Sequence, residues 1–206
     1  MKPCGNDVEP IVPKLYFERA KDVSVLSKFY CGVTAIDNFV HSSEKGLQKY
    51  LDHHLSNLWI VKNEEKLVAF FAISSDTISL NYQDRYFMKM GKTIKPHIDA
   101  DFINEFWEKD KYPSIGIDFF AVEQNSQHRG IGKFIINQIA QKVLSDNLAA
   151  SLFLTVDAYH SKEYSAIGFY KKCDFVQSEV AHDRYPDRAI TTRMYKAITY
   201  DEKLIK

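Results

Sequence analysis

The sequence predicts an α/β fold (an α+β sandwich), with one mixed central β-sheet flanked by helices in a single domain spanning 1–206. Three observations predict it. The run 115–122 is almost wholly apolar, the composition of a strand buried on both faces at the centre of a sheet. From Gly130 to Leu144 apolar residues recur at helical spacing. Strand-like and helix-like segments alternate on both sides of that pair, as a layered fold requires.

The elements follow in order. Residues 1–12 are polar and contain Pro3 and Pro10, so they read as a loose lead-in. Leu15-Tyr16-Phe17 reads as a first strand. From Asp22 to about Ser56 the pattern is helical: Leu26, Phe29 and Tyr30 share a face, Cys31-Gly32 interrupts it, and Thr34 caps a second helix. That helix places Ile36, Phe39 and Val40 on a face that Leu47, Tyr50 and Leu51 continue. A hairpin of 58–61 and 67–73 follows, with its turn at 63–66. Residues 78–112 read as an insertion before the central strand. They hold the basic stretch Arg85, Lys89, Lys92 and Lys95, then Pro96, then a short helix. Asp99 or Asp101 would cap it, and Phe102, Ile103, Phe106 and Trp107 would be its buried side. After 115–122 come a turn at 123–126 and a helix packed through Ile131, Phe134, Ile135, Ile139 and Val143. The strand 152–156, a helix over about 163–173, and strands near 175–176 and 191–195 complete the order.

Composition narrows the function. The chain has 206 residues, enough for one substantial core, and 45% of them are hydrophobic, which argues against disorder. Lys plus Arg is 27 and Asp plus Glu is 27, so no overall field gathers a polyanion. That speaks against a dedicated nucleic-acid binder and leaves 85–95 as a local basic patch or a solvated loop. The three cysteines, Cys4, Cys31 and Cys173, are odd in number and form no C-x-x-C pair. Neither a disulfide framework nor a zinc site is expected, and a cytoplasmic protein is. The pair His53-His54 has no carboxylate at ligand spacing, and His160 and His182 are isolated, so no metal is expected. No apolar run approaches the roughly 18 residues that span a bilayer, so no membrane partner is expected. The N-terminus lacks the apolar stretch of a secretory signal.

The informative unit is Phe119-Phe120-Ala121-Val122, a short polar turn, then Gln127-His128-Arg129-Gly130-Ile131-Gly132-Lys133. A buried strand enters a helix through a tight loop, and the helix start offers unpaired N–H groups and the positive end of a dipole. Such a place suits a pyrophosphate. The nucleotide P-loop does not fit, because Gly132-Lys133 is followed by Phe134 and the first glycine is missing. The dinucleotide fingerprint fails at Ile135. On spacing alone, a glycine-containing helix start without a ligand stays open.

Gln-x-x-Gly-x-Gly after an apolar strand resembles the acetyl-CoA motif of the GNAT acyltransferases, Gln/Arg-x-x-Gly-x-Gly/Ala. Downstream, Ala166-Ile167-Gly168-Phe169-Tyr170-Lys171-Lys172-Cys173-Asp174-Phe175 is similar to the A-x-x-F-Y-x-x-x-G-F helix end of that family. Asp174 stands where the family has Gly, and Asp tolerates the left-handed turn better than most residues. The likeness runs through most of 15–195. It implies acetyl-CoA as co-substrate and no metal. Backbone groups at Ala121 and Val122 would hold the pantetheine arm. The amides of Gln127, His128, Arg129, Gly130, Ile131, Gly132 and Lys133 would hold the pyrophosphate, with Phe169 joining the binding set. Tyr170 would protonate the leaving thiolate. An attacking amine must also lose a proton, and Asp118 or Glu123 could take it; the other reading of Asp118 is a carboxylate paired with a nearby cation.

The segment Phe29-Tyr30-Cys31-Gly32-Val33-Thr34-Ala35-Ile36-Asp37-Asn38-Phe39 looks like the F-x-C-G-x-x-x-L-D-x-F/Y stretch of the bacterial toxin-like GNAT branch. Tyr112-Pro113-Ser114-Ile115 and Thr155-Val156-Asp157-Ala158 are similar to it too. Members of this branch acetylate aminoacyl-tRNA and travel with a small antitoxin. The expected activity is therefore acetyl transfer to an amine on a small molecule, a protein or aminoacyl-tRNA, by a monomer or homodimer. An antitoxin is the implied partner if the toxin reading holds. A non-catalytic acyl-CoA-binding module is the alternative of another class.

Overall fold

A computed structural model describes residues 14–96, 98–146, 150–178, 180 and 191–199. The expected lead-in at 1–12, Cys4 and His182 lie outside the described residues. Seven strands form one mixed sheet in the order β1-β2-β3-β4-β5-β7-β6. The strands are β1 (Leu15–Ala20), β2 (Asn57–Asn63), β3 (Lys66–Ser79), β4 (Lys111–Val122), β5 (Phe153–Tyr159), β6 (Val176–Gln177) and β7 (Thr191–Ala197). Only β4 and β5 run parallel; the other neighbours are antiparallel. The apolar run 115–122 does form the central strand, fourth of seven.

Helices cover both faces. On one face, α5 (Ile131–Asp146) and α6 (Ile167–Lys172) pack on β3–β5 and β7. Ile131, Ile135, Ile136, Ile139 and Ala140 are the buried side of α5, while Phe134 and Val143, expected there, are only half-buried. On the other face, a 3-10 turn (Val23–Leu26), α1 (Thr34–His41) and α2 (Leu47–Asp52) cover β2, β3 and the end of β4. Further along that face, α3 (Tyr82–Lys89) and α4 (Ile103–Glu108) close a third cluster around Tyr112, Phe153 and Tyr195.

Several boundaries differ from those expected. The pattern around Leu26 gives only the 3-10 turn, and Tyr30 is exposed. Thr34 is the first residue of α1 rather than its cap. Val33 holds that place with no side-chain hydrogen bond, and the carboxylate of Asp37 instead accepts from the N–H groups of Cys31 (2.8 Å) and Gly32 (3.1 Å). The single expected helix is broken into α1 and α2 at Gly46. There a Cβ would lie 2.2 Å from the Ser42 oxygen and 2.3 Å from the Phe39 oxygen, so the chain folds back where only glycine fits. Strands β3 and β4 extend into both ends of 78–112, pairing Ser79 with Lys111. The middle of that segment is α3, a 3-10 turn (Ala100–Phe102) whose cap is Asp99, and α4. Phe106 is buried there, but Phe102 is 62% exposed, because the 3-10 geometry turns it away from the face of α4. Finally, α6 starts at Ile167, since Ser161 and Tyr164 close a tight turn ahead of it (N···O 2.7 Å).

Candidate active site

The site begins where the sheet opens. Strands β4 and β5 pair from Ser114↔Phe153 to Ile117↔Val156. Beyond that point β4 runs on to Val122 and β5 to Tyr159 without pairing to each other, although β4 still pairs with β3 along Phe119–Val122 and β5 with β7 as far as Tyr159↔Thr191. Among the described residues, one edge of β4 at Ala121 and Val122 therefore lacks a strand partner. Apart from the Val122 carbonyl, which accepts from the Gln127 side chain, its free backbone groups are those an extended amide chain can satisfy.

The opening coincides with a β-bulge. Ala72 faces Phe119 and Ile73 faces Ile117, which leaves Asp118 as the additional residue on β4. Bulges of this kind bend a strand and re-aim its side chains. Asp118 therefore does not share a face with Val122, four residues on. Val122 packs with the α5–α6 side, whereas Asp118 accepts hydrogen bonds from Ser56 Oγ (2.5 Å) and Ser74 Oγ (2.9 Å) on the α1–α2 side. No cation pairs with Asp118 among the described residues. Partial desolvation pushes its pKa up. The carboxylates of Asp76 and Asp157 add to that, and the two hydroxyl hydrogen bonds offset it only in part. Glu123, the other candidate base, is committed elsewhere. It accepts from Asn125 N (3.1 Å) and Ser126 Oγ (2.8 Å) and pairs with Lys66 (3.4 Å). Burial opposes its charge, but these partners hold its carboxyl below the usual range.

After β4, a 3-10 turn (Gln124–Ser126) leads into the glycine loop. His128 (φ 60°) and Gly130 (φ 79°) both adopt left-handed backbone. The first hydrogen bond into the helix is Phe134 N–H to the Gly130 oxygen at 3.0 Å. The amides of His128 through Lys133 have no acceptor among the described residues. Left-handed residues beside a free helix start make a concave row of donors for an anion. The Gln127 side chain plays a different part. Its Nε2 donates to the Cys31 oxygen (2.7 Å) and the Val122 oxygen (3.0 Å), tying the chain before α1 to the end of β4.

The two glycines act differently. Gly130 has open space around a would-be Cβ but needs its positive φ. At Gly132 a Cβ would lie 2.9 Å from Phe169 Cε2. That ring stacks on Phe120 (centroids 5.7 Å apart) and links α6 to β4 and α5. A Gly130→Ala variant should lose about 1–2 kcal/mol of stability, the cost of left-handed backbone for a residue with a Cβ. Gly132→Ala should displace Phe169 and disturb its stacking on Phe120. Thermal melts and the Phe169 ring resonances separate the two effects.

Tyr170 is 5% exposed on α6, its ring edge-on to Phe169 (5.1 Å) and Phe175 (5.3 Å). Its hydroxyl has no hydrogen-bond partner among the described residues. Burial, then the neighbouring Tyr164 and Cys173, push its pKa far above that of an ordinary phenol. The chain leaves α6 through Asp174, whose φ of 68° is the left-handed turn expected at that position.

Asp118 belongs to a polar strip that sequence reasoning missed. The Asp76 carboxylate accepts from Thr155 Oγ1 and Arg193 Nη2, and Arg193 Nη1 reaches Asp157 at 3.4 Å. Burial works against the charge of Asp76, but the Thr155 hydroxyl and the Arg193 cation hold it below the usual carboxylate range. The available signal was the alternation Ser74-x-Asp76-x-Ile78, which continues β3 past residue 73. Among the described residues no group of three or more His, Cys, Asp and Glu could hold a metal ion. None of their helices is long and apolar enough to cross a membrane.

The profile of the acetyltransferase (GNAT) family matches residues 34–175. No curated protein matches the sequence. Solved structures share the fold at low identity. A bacterial toxin superposes with a TM-score of 0.58 at 16% identity, covering 91% of this chain and 92% of that one. AtaTR bound with AcCoA gives 0.59 at 16% identity, with 89% and 94% covered. AtaT complexed with acetyl-methionyl-tRNAfMet gives 0.55 at 16% identity, with 87% and 93% covered. With a parted central pair, a free-amide loop at the start of α5, and a family profile spanning most of its length, the chain belongs to the GNAT acetyltransferase family.

Proposed function

We propose that the protein transfers an acetyl group from acetyl-CoA to a primary amine by direct attack on the thioester. The observation that carries this is the parting of β4 from β5 directly ahead of the row of unpaired amides at 128–133. On this reading the edge at Ala121 and Val122 takes the pantetheine amides. The amides from His128 to Lys133, with His128 and Arg129 at the rim, take the pyrophosphate, while the Gln127 amide, expected among them, donates to the Gln124 carbonyl (3.4 Å). Phe169 walls the arm, and 78–112 is an insertion ahead of the central strand.

The chemistry follows from two faces. Tyr170 belongs to the α5–α6 side and Asp118 to the α1–α2 side, with the gap in the sheet between them. The amine nitrogen attacks the thioester carbonyl carbon. Asp118 accepts the proton that nitrogen sheds, directly or through water. The C–S bond then breaks, and Tyr170 gives its phenolic proton to the thiolate. A carboxyl with a raised pKa suits a base that works near neutrality.

Aminoacyl-tRNA is a second acceptor reading, since its reactive group is also a primary amine. It is supported by the Phe29–Phe39 resemblance and by the shared fold of AtaT complexed with acetyl-methionyl-tRNAfMet; an antitoxin partner belongs to this reading alone. Thiol release from acetyl-CoA, measured across amines, peptides and charged tRNA, tests both. CoA affinity with no thiol release for any acceptor would instead make the chain a binding module.

A further inference from the structure

On the side of the sheet that carries α1–α4, two apolar clusters leave a polar band between them. Phe70, Ala72, Phe119 and Ala121 belong to the cluster under α1 and α2, and Ile78, Tyr112, Phe153 and Tyr195 to the one under α3 and α4. Strand alternation puts Ser74 and Asp76 on this face of β3, between Ala72 and Ile78. Gly116 is the floor of the band on β4, where a Cβ would lie 3.3 Å from the side chains of Asp76 and Ser74. Thr155 and Asp157 complete it on β5, joined through Asp76 and Arg193.

The band ends at the gap in the sheet. Ile117↔Val156 is the last pair of β4 and β5, so Asp118 and Asp157 are the first residues after the strands part. Both side chains reach into the band, Asp118 accepting from Ser74 Oγ (2.9 Å) and Asp157 meeting Arg193 Nη1 (3.4 Å). Two carboxylates thus flank the mouth of the gap on one face. The charges of the band do not balance, since Asp76, Asp118 and Asp157 share Arg193 as their cation among the described residues. The Arg193 side chain is 19% exposed and bound closely to Asp76. Asp157, 58% exposed, has only the longer contact, and Asp118 has none. At the closed end Ser114, paired opposite Asp76, is 3% exposed, and its Oγ has no hydrogen-bond partner among the described residues. Buried hydroxyls ordinarily have one.

We propose that this band selects an acceptor carrying a second cationic group, with the reacting amine at Asp118 and the second ammonium between Asp157 and Asp76. The inference rests on the acetyl-transfer reading and names the class of acceptor for that site. Two residues of strand separate Asp118 from Gly116 beside Asp76, about 6–7 Å, which is the reach of a diamine with a short aliphatic chain. An ammonium there meets the carboxylate that Arg193 holds only at long range and brings donors to the band's closed end. A monoamine leaves that carboxylate unmet. An acceptor that brings phosphate or carboxylate to the same place is disfavoured, because Arg193 is already engaged.

Calorimetric titration of the full chain compares diaminobutane, with an amine at each end, against butylamine. Diaminobutane should bind about tenfold tighter at low salt, and the difference should shrink as salt is added. Asp157→Asn should bring the two affinities together, and Asp157→Glu should keep them apart. Arg193 retains Asp76 in both variants, so an unchanged melting temperature reports intact folding. Equal affinities in the wild type overturn the proposal, and so does a preference that Asp157→Asn leaves intact. Thiol release from acetyl-CoA is read separately. Charged tRNA acetylated in preference to diaminobutane overturns the proposal as well. A diamine preference that responds to Asp157, with no thiol release for any amine, supports the selectivity of the band and refutes acetyl transfer instead.

Discussion

A Tyr170→Phe variant should bind acetyl-CoA as the wild type does and lose about 10²–10⁴-fold in turnover, the range for a positioned acid. The substitution removes one oxygen and keeps the ring between Phe169 and Phe175. Because the hydroxyl has no hydrogen-bond partner among the described residues, its loss strands no other buried group, and the melting temperature should hardly move. The ring is buried, but the hydroxyl oxygen is not among the enclosed unpartnered atoms of the described residues, so it reaches open space where a leaving thiolate could meet it. A phenol is protonated throughout the neutral range, as a proton donor to thiolate must be. Calorimetric titration with acetyl-CoA and a thiol-release assay measure the two halves separately. Unchanged turnover removes the acid role from Tyr170. A parallel loss of CoA affinity makes it a binding residue.

The local geometry of the proposed donor half was more legible in the sequence than that of the proposed acceptor half, for a physical reason. Gln127 to Gly132 and Phe169-Tyr170 are local features: a left-handed glycine, a helix start and a helix end each leave their mark within a few residues. Asp174 could be read as a turn residue because its tolerance of positive φ belongs to the residue itself. The polar strip is non-local. Asp76, Thr155 and Arg193 come from three strands, and Asp118 reaches their face only through the bulge opposite Ala72 and Ile73. Strict alternation from Val122 assigns Asp118 to the other side. Bulges have no reliable short signature, so the residue types were visible but not the face. The same limit explains Gly46. The 34–51 periodicity is sound on both sides of it, but the break comes from carbonyls of the preceding helix end that only the folded chain brings near. Phe102 was misplaced because a 3-10 turn rotates each residue further than the helical period assumed for it.

Asp118→Asn and Asp76→Asn should have opposite signatures, although both carboxylates lie on one strip. For Asp118, the folded-state pKa is raised, so the folded protein binds this proton more tightly than the unfolded chain does. The stability that Asp118 contributes is fully present below the unfolded pKa near 3.9 and is lost as pH rises through the higher folded value. At neutral pH the charged Asp118 therefore costs stability, and Asn should hold or raise the melting temperature. Turnover should fall about 10²–10⁴-fold with loss of the base. In the wild type, kcat/KM should rise with pH along a limb that lies above the ordinary carboxylate range, and Asn should flatten that limb. Asp76 runs the other way. Its folded pKa is lowered, so its contribution is present above the unfolded value and lost as pH falls through the folded one. Asp76→Asn should lower the melting temperature at neutral pH, because Arg193 loses its charge partner and Thr155 its acceptor. Melts across pH 3–8 beside pH–rate profiles distinguish the roles. If Asp118→Asn melts lower and turns over normally, Asp118 is structural, and proton removal from the amine falls to solvent.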